Sequence, residues 1–287
     1  MTAMPARWRE AWARDEARLG LLLVVVVALA ASATGLGNQF TYDDIPIIVD
    51  NPMVNAWHTP WEYLTTSYWG PTRGNSLYRP LTVMGYALQW QAGGGSPVPF
   101  HLVNVLLNAA CAAAVLALFR RLVAPAFALA AALLWAAHPV HVEAVANVVG
   151  QSEMSTALPM LLAMLLYVRD RQAGAVRGRT VAAIGALFVC ALLTKEHGIV
   201  LPALLAMSEG VLRHRGFAPD DDGRARQWLL ARVLVMIVVA YIVVRLSILG
   251  GFAGDAPHPA LERVPPAERS LVMLGLVPEF LRLFLWP

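Results

Sequence analysis

Charged residues are scarce in this sequence: they make up 14% of its 287 residues, whereas hydrophobic residues make up 58%. A soluble domain usually carries roughly 25% charged residues. Several apolar runs also approach the roughly 20 residues that cross a bilayer as a helix. The shortage of charge therefore argues against a soluble domain and predicts an all-α polytopic membrane protein.

Lysine and cysteine are almost absent as well. Lys195 is the only lysine among 22 basic residues, and the arginines lie mostly in short loops between apolar runs, where basic residues determine membrane orientation. The net charge of +3 therefore gives no reason to expect nucleic-acid binding. Cys111 and Cys190 both lie inside apolar segments, so we expect buried thiols and no disulfide.

The apolar runs predict about eight membrane spans. A shorter segment, 78–92, has about 15 residues and an aromatic, amphipathic make-up that is typical of a helix lying in the membrane interface. If this segment does not cross, the arginine-rich loops fall on the cytoplasmic side, as the positive-inside rule requires. The predicted spans are 18–36, 98–119, 124–144, 152–168, 180–194, 197–212, 227–248 and 271–286.

This topology predicts a cytoplasmic N-terminal segment at 1–17 and a membrane domain at 18–287, with a long external amphipathic loop at 37–97. The sequence "ASA" at 31–33 resembles a signal-peptidase site, which leaves cleavage open as an alternative. We expect an uncleaved first span, because the first run is long enough to cross and further spans follow.

Four short polar clusters come to the same external surface in this topology. They are "TYDD" at 41–44, "YRP" at 78–80, "HPVHVE" at 138–143 and "TKEH" at 194–197. Neither solubility nor loop geometry requires clusters so far apart in the sequence to share one plane. Their convergence predicts an active site.

Asp43 and Asp44 directly follow the first span. Adjacent carboxylates can supply a general base and a group that orients an acceptor, whereas a helix cap or a solvated turn is the structural alternative. Arg79 stands near the start of the interfacial segment. Its guanidinium can bind a phosphate through two hydrogen bonds, or it can extend to the lipid headgroups.

His138, His141 and Glu143 could together provide three zinc ligands. The cluster has no HExxH pattern and no cysteine, so we favour hydrogen bonding to an anionic group or a sugar; simple interfacial histidines are a third alternative. Lys195 and Glu196 lie between two apolar runs, where charged residues are costly and usually functional. An ion pair at a hairpin tip is the structural alternative for these two.

Five motifs together resemble the membrane glycosyltransferases of the GT-C fold that use polyprenyl-phosphate-linked sugars. Within that group the sequence is most similar to the transmembrane and tetratricopeptide-repeat O-mannosyltransferases and their bacterial relatives. The similarity covers about 38–200. Its motifs are "DD" at 43–44, "YRPLT" at 78–82, "FHLVNVLLNA" at 100–109, "HPVHVEAVANVVGQSE" at 138–153 and "TKEHG" at 194–198.

The resemblance implies a GT-C-like bundle that transfers a sugar, expected to be mannose, from a polyprenyl phosphate to a hydroxyl acceptor. The expected acceptor is a protein serine or threonine, and the expected partners are the lipid-linked sugar, the acceptor and membrane lipid. The implied location is a bacterial inner membrane, with the site facing the periplasm or the exterior. No cofactor is expected, although a divalent metal stays open as an alternative.

The resemblance also implies roles by position. Asp43 would be the general base that takes the proton from the acceptor hydroxyl, and Asp44 would help to orient that acceptor. Arginine, lysine and histidine side chains would lie near the lipid phosphate, where charge develops as the glycosidic bond breaks. The predicted substrate-binding residues are Arg79, His138, His141, Glu143, Lys195 and Glu196.

The chain departs from the family in two respects. It lacks the later spans and repeats and stops at Pro287 inside an apolar run, so we expect it to be the N-terminal membrane part of a longer protein. Gln151 also stands where an arginine is expected. The alternative function is a transporter or flippase of a lipid-linked or anionic substrate, which would need inverted repeats and broken helices.

Overall fold

The computed structural model describes residues 6–70, 77–251 and 264–285. All regular elements in these ranges are helical, which confirms the predicted all-α class. The ends of the predicted segments 1–17 and 271–286, and part of the loop 37–97, lie outside the described residues. The α-helices are α1 Ala6–Ser32, α2 Pro52–Asn55, α3 Pro60–Thr65, α4 Pro80–Gly93, α5 Val98–Leu122, α6 Pro125–Ala137, α7 Val142–Ala146, α8 Gln151–Gln172, α9 Gly178–Thr194, α10 Leu201–His214, α11 Asp221–Leu249, α12 Pro266–Gly275 and α13 Val277–Leu285.

Three helical segments in the described ranges are long and apolar enough to cross a membrane: Asp15–Gly37, Val98–Leu122 and Asp221–Leu249. A fourth crossing is formed if Pro125–Ala137 and Pro139–Ala146, which are bent by 43° at a short break, count as one broken span. The chain is therefore an integral membrane protein with three or four candidate spans, and the expected number of about eight is not confirmed.

The shortfall has local causes in the remaining helices. Helix α8 carries polar and charged residues at both ends, among them Glu153 and Arg171, which lower its apolar length. Helices α9 and α10 have only 17 and 14 residues. The last apolar run is divided between α12 and α13 at Leu276. Hydropathy alone did not reveal the division at Leu276, and it counted the short α9 and α10 as crossings.

The first loop folds into a compact unit instead of a loose connection. Short helices α2 and α3 begin at prolines, and a capping box between Thr59 and Glu62 starts α3. Buried apolar side chains join the part of this loop before α4 to α4 itself and to α5. They include Ile47, Ile48, Met53, Val54, Tyr63, Tyr68, Tyr86 and Phe100. The loop therefore presents its polar residues from a packed surface.

Helix α4, Pro80–Gly93, lies where the interfacial segment 78–92 was predicted. With 14 residues it is too short to cross a bilayer, and its first residue follows Arg79 directly. The Thr82 hydroxyl donates a hydrogen bond to the carbonyl of Thr194 at 2.7 Å. This bond ties the start of α4 to the end of α9, so Arg79 and Lys195 are held close together.

A buried ionic network lies at the other end of α8. Arg171 is 1% exposed and donates to both carboxylate oxygens of Glu209, at 2.9 and 3.1 Å. The same guanidinium donates to the carbonyls of Gly174 and Phe217. The sequence alone had assigned the arginines of this loop to membrane orientation. In the structure, Arg171 instead connects α8 and α10 to the two loops beside them.

Candidate active site

One cavity of about 260 Å³ collects charged side chains from four distant parts of the sequence. They come from the first loop, the start of α4, the α7–α8 region and the end of α9. Four of the predicted site residues line it directly, together with a carboxylate that the prediction did not include. These five are Asp43, Arg79, Glu143, Lys195 and Glu153.

Asp43 and Asp44 are adjacent in sequence but point to different environments. Tyr42 has a φ of 48°, a left-handed conformation that is uncommon for residues other than glycine. Asp43 is exposed and lines the cavity, whereas Asp44 is fully buried. The strained turn therefore leaves Asp43 alone as the carboxylate of this pair that is available to a substrate.

Asp44 connects the first loop to the turn before α8. Its carboxylate accepts hydrogen bonds from the backbone N–H of Thr41 at 3.0 Å and of Val149 at 2.9 Å. Burial raises the pKa of Asp44, and the backbone hydrogen bonds oppose this shift only in part. These contacts indicate that Asp44 fixes the position of two backbone segments. The resemblance had instead implied that Asp44 orients the acceptor.

Arg79 is held in place from two sides. Its Nε and Nη2 atoms lie 2.9 and 2.8 Å from Oε2 of Glu196, and its guanidinium carbon lies 5.0 Å from the centre of the Tyr68 ring. Burial lowers the pKa of Arg79, but the hydrogen bond and charge of Glu196 outweigh burial, so the pKa lies above its usual value. The guanidinium is therefore a fixed positive charge at the cavity wall.

Lys195 forms an ion pair with Glu153, which sequence reasoning missed as a site residue. The same glutamate lies 3.5 Å from Nδ1 of His197. The sequence feature that could have identified Glu153 is its place in "GQSE", because an ionisable residue at the start of a largely apolar helix is usually functional. Each of the two cations in the cavity is therefore paired with one glutamate.

His138 and His141 do not line this cavity. They lie in a second, smaller one of about 120 Å³, where the His141 ring is 4.6 Å from the Trp135 ring. The two histidine rings are 6.3 Å apart. Within the described ranges, no group of three or more His, Cys, Asp or Glu side chains is arranged to hold a metal ion.

The turn between α7 and α8 depends on a close backbone approach. A Cβ atom on Gly150 would lie 2.2 Å from the carbonyl oxygen of Glu143, so only glycine fits this position. The close contact brings Glu143 and the first turn of α8 to the same cavity. The glycine in "GQSE" therefore has a structural requirement that the sequence pattern did not explain.

Buried amides fix the same turn from the side of α5. Asn104 donates to the carbonyls of Val145 at 3.1 Å and Asn147 at 2.9 Å, and Gln151 donates to Oδ1 of Asn104 at 2.8 Å. Gln151 and Gln89 also exchange hydrogen bonds at 2.8 and 2.9 Å. At the position where an arginine was expected, Gln151 thus links α4, α5 and α8 through neutral hydrogen bonds.

The cavity can perform two chemical tasks. An exposed carboxylate can accept a proton, and the fixed Arg79 and Lys195 can stabilise an anion by charge-assisted hydrogen bonds. Asp43 is the exposed member of the aspartate pair. Arg79 and Lys195 line the same cavity as Asp43. This combination fits a reaction in which a proton is removed and a negatively charged group departs.

Comparison with known proteins gives relatives that are named protein O-mannosyl-transferases. Protein O-mannosyl-transferase Tmtc2 of Drosophila melanogaster is 34% identical over 268 residues, which cover 88% of this chain and 28% of the relative. Protein O-mannosyl-transferase TMTC4 of Homo sapiens is 33% identical over 217 residues, which cover 65% of this chain and 28% of the relative. Protein O-mannosyl-transferase TMTC2 of Homo sapiens is 31% identical over 203 residues, which cover 68% and 24%.

The chain thus spans about a quarter of the length of the curated relatives that it matches. No family model matches the sequence, and no solved structure matches it.

Proposed function

Because this chain belongs to the transmembrane and tetratricopeptide-repeat O-mannosyltransferase family, as its motifs predicted, we propose that it carries the sugar-transfer site of a protein O-mannosyltransferase. The donor is a polyprenyl-phosphate-linked mannose, and the acceptor is a serine or threonine hydroxyl. The observation that supports this proposal best is the cavity that gathers Asp43, Arg79 and Lys195 from three separate segments.

The proposed reaction assigns one task to each of these groups. The Asp43 carboxylate takes the proton of the acceptor hydroxyl, whose oxygen forms a bond to the anomeric carbon of the sugar. The bond from that carbon to the phosphate oxygen breaks, and the polyprenyl phosphate leaves with the electron pair. Arg79 and Lys195 stabilise the charge that develops on the phosphate. Glu196 and Glu153 hold these two cations in position before the donor binds.

We also propose that the site faces the non-cytoplasmic side, with residues 1–17 in the cytoplasm and 37–97 outside. The positive-inside rule supports this orientation, because the arginine-rich loops then lie in the cytoplasm. The relatives named above are animal proteins, so they do not support the bacterial inner membrane that we had expected.

This orientation predicts the labelling of single cysteines. In a background without Cys111 and Cys190, Ala56→Cys should react with an impermeant thiol reagent added outside intact cells, and Ala173→Cys should react only after permeabilisation. Both alanines are exposed, so access depends on the membrane and not on burial. Labelling of Ala173→Cys from outside, with Ala56→Cys protected, would reverse the topology.

The donor phosphate contact predicts the effect of Arg79→Ala. A lost charge-assisted hydrogen bond costs about 1.5–3 kcal/mol, so affinity for polyprenyl phosphate should fall roughly ten- to a hundredfold. Binding is measured on the purified protein in lipid nanodiscs. Arg224→Ala is the matched control, because Arg224 forms an exposed ion pair with Asp221 at the start of α11 and neither residue lines the cavity. Equal affinity of folded Arg79→Ala and wild type would remove Arg79 from the donor site.

Transport of a lipid-linked substrate is the second candidate function. The observation in its favour is the 43° bend between α6 and the segment Pro139–Ala146, since broken helices line many transporter sites. A transporter would move the lipid-linked sugar without forming a glycosylated acceptor. Analysis of the acceptor product therefore separates the two functions.

A further inference from the structure

The second cavity, of about 120 Å³, lies at the break between α6 and α7. Its polar lining comes from the end of α1, the middle of α5 and the break itself, and consists of Ser32, Thr34, Asn108, His138 and His141. The break leaves irregular backbone inside a segment of membrane-spanning length. Such backbone is tolerated at membrane depth only where protein buries it or where it lines a hydrated cavity.

Asn108 lines this cavity and has a buried hydrogen-bond acceptor that is unused. Its side chain is 2% exposed, and its Nδ2 donates to the Ser32 hydroxyl at 2.9 Å. Among the described residues, no group donates to its Oδ1. A buried carbonyl without a donor costs about 1–3 kcal/mol, so a polar cavity beside it is suited to a ligand that brings an N–H or O–H group.

His138 supplies the complementary donor. Its Nδ1 accepts a hydrogen bond from the backbone N–H of Val140 at 3.1 Å. The neutral ring therefore carries its proton on Nε2, which can donate to a carbonyl or hydroxyl oxygen. Among the described residues that line this cavity there is no carboxylate, arginine or lysine. A neutral partner with both a donor and an acceptor, such as a peptide group, matches this lining.

Helix α7 separates the two cavities. Val142, Val145 and Ala146 face the second cavity, whereas Glu143 and the residues beside it, Ala144 and Asn147, face the first. This alternation follows from helical geometry, in which residues three and four apart share one side. A ligand in the second cavity is therefore one helix away from Asp43 and the two cations.

We propose that the second cavity binds the acceptor polypeptide, through peptide groups about three residues away from the serine or threonine that is modified, because one extended residue spans about 3.3–3.6 Å and a helix about 10 Å thick separates the two cavities. This inference rests on the proposed function. It assigns the two substrates to different cavities according to their charge. The anionic donor binds in the larger cavity with Arg79 and Lys195, and the neutral peptide binds in the smaller cavity with Asn108 and His138. His138 and His141 thus belong with the acceptor, although the sequence had suggested the donor phosphate.

Steady-state kinetics of two variants test this division. His138→Ala removes the proposed donor at the exposed side of the break, and Asn108→Ala removes the buried acceptor. Each loses one hydrogen bond, so the KM for a serine- and threonine-containing peptide should rise roughly three- to tenfold, with the KM for the polyprenyl-phosphate donor unchanged. Arg79→Ala should give the opposite pattern. Because Asn108 also binds Ser32, His138→Ala keeps the test valid if Asn108→Ala misfolds.

Two kinetic outcomes would overturn the inference. A raised donor KM with an unchanged peptide KM in His138→Ala would return the histidines to the donor site, and no change in either KM would leave the cavity without a role in binding. Peptide binding measured without donor separates this inference from the proposed function. Wild-type protein that binds peptide but forms no product overturns the function alone, whereas wild-type protein that binds no peptide overturns the inference.

Discussion

Asp43→Asn should lower turnover roughly 10²–10⁴-fold, because it keeps the size of the side chain and removes its basicity. The structure strengthens this expectation, since Asp43 is exposed and lines the cavity, whereas Asp44 is buried. Donor affinity should change little, so the loss should appear in kcat and not in binding of polyprenyl phosphate. Turnover is measured with saturating donor and peptide.

Asp44 provides an adjacent carboxylate as the matched control. Asp44→Ala leaves the backbone N–H groups of Thr41 and Val149 without their acceptor, at a cost of about 1–3 kcal/mol in stability. Asp43→Ala removes no such contact and should leave the unfolding temperature unchanged. If Asp43→Asn retains near-normal turnover while Asp44→Asn loses it, the general base is Asp44 and the assignment of roles is wrong.

Arg171→Met should produce the largest loss of stability, about 3 kcal/mol. Removal of one partner of a buried ion pair typically costs about 3–5 kcal/mol, and the lower end applies because Arg213 still pairs with Glu209. The variant also loses hydrogen bonds to the carbonyls of Gly174 and Phe217. The free energy of unfolding in detergent is the measurement.

Arg213→Met is the matched control for this network. Arg213 binds the same Glu209 at 2.8 Å, but its side chain is 55% exposed, so its loss should cost less than about 1 kcal/mol. A cost for Arg171→Met that is no larger than the cost for Arg213→Met would show that the buried pair does not stabilise the fold. Neither residue lies near the cavity, so turnover per folded molecule should stay unchanged in both variants.

The convergence of Asp43, Arg79 and Lys195 in one cavity was predicted from the sequence, through the parity of the expected spans and the positive-inside rule. The direction of each side chain could not be predicted. Asp43 is exposed and Asp44 is buried, directly after Tyr42 in a left-handed conformation that is uncommon for tyrosine. Glu153 was missed because its ion pair joins the start of α8 to the residue after α9, 42 positions further along the chain.

The positions of the two histidines and the number of spans also could not be predicted from the sequence. The spacing of His138 and His141 predicted a shared chemical group, but a break at Pro139 places them on the far side of α7 from the charged cavity. Apolar composition likewise predicted about eight spans, because it counted short helices such as α9 and α10 as crossings and did not detect where the last run divides. Family membership, by contrast, was predicted from five short motifs and is confirmed.

The most direct test of the central claim is mass analysis of an acceptor peptide incubated with the purified protein in proteoliposomes and polyprenyl-phosphate mannose. The expected result is a peptide that gains one hexose on a serine or threonine, at a rate that falls at least about a hundredfold in Asp43→Asn. An unmodified peptide, together with movement of the lipid-linked sugar across the bilayer, would contradict sugar transfer and identify a transporter.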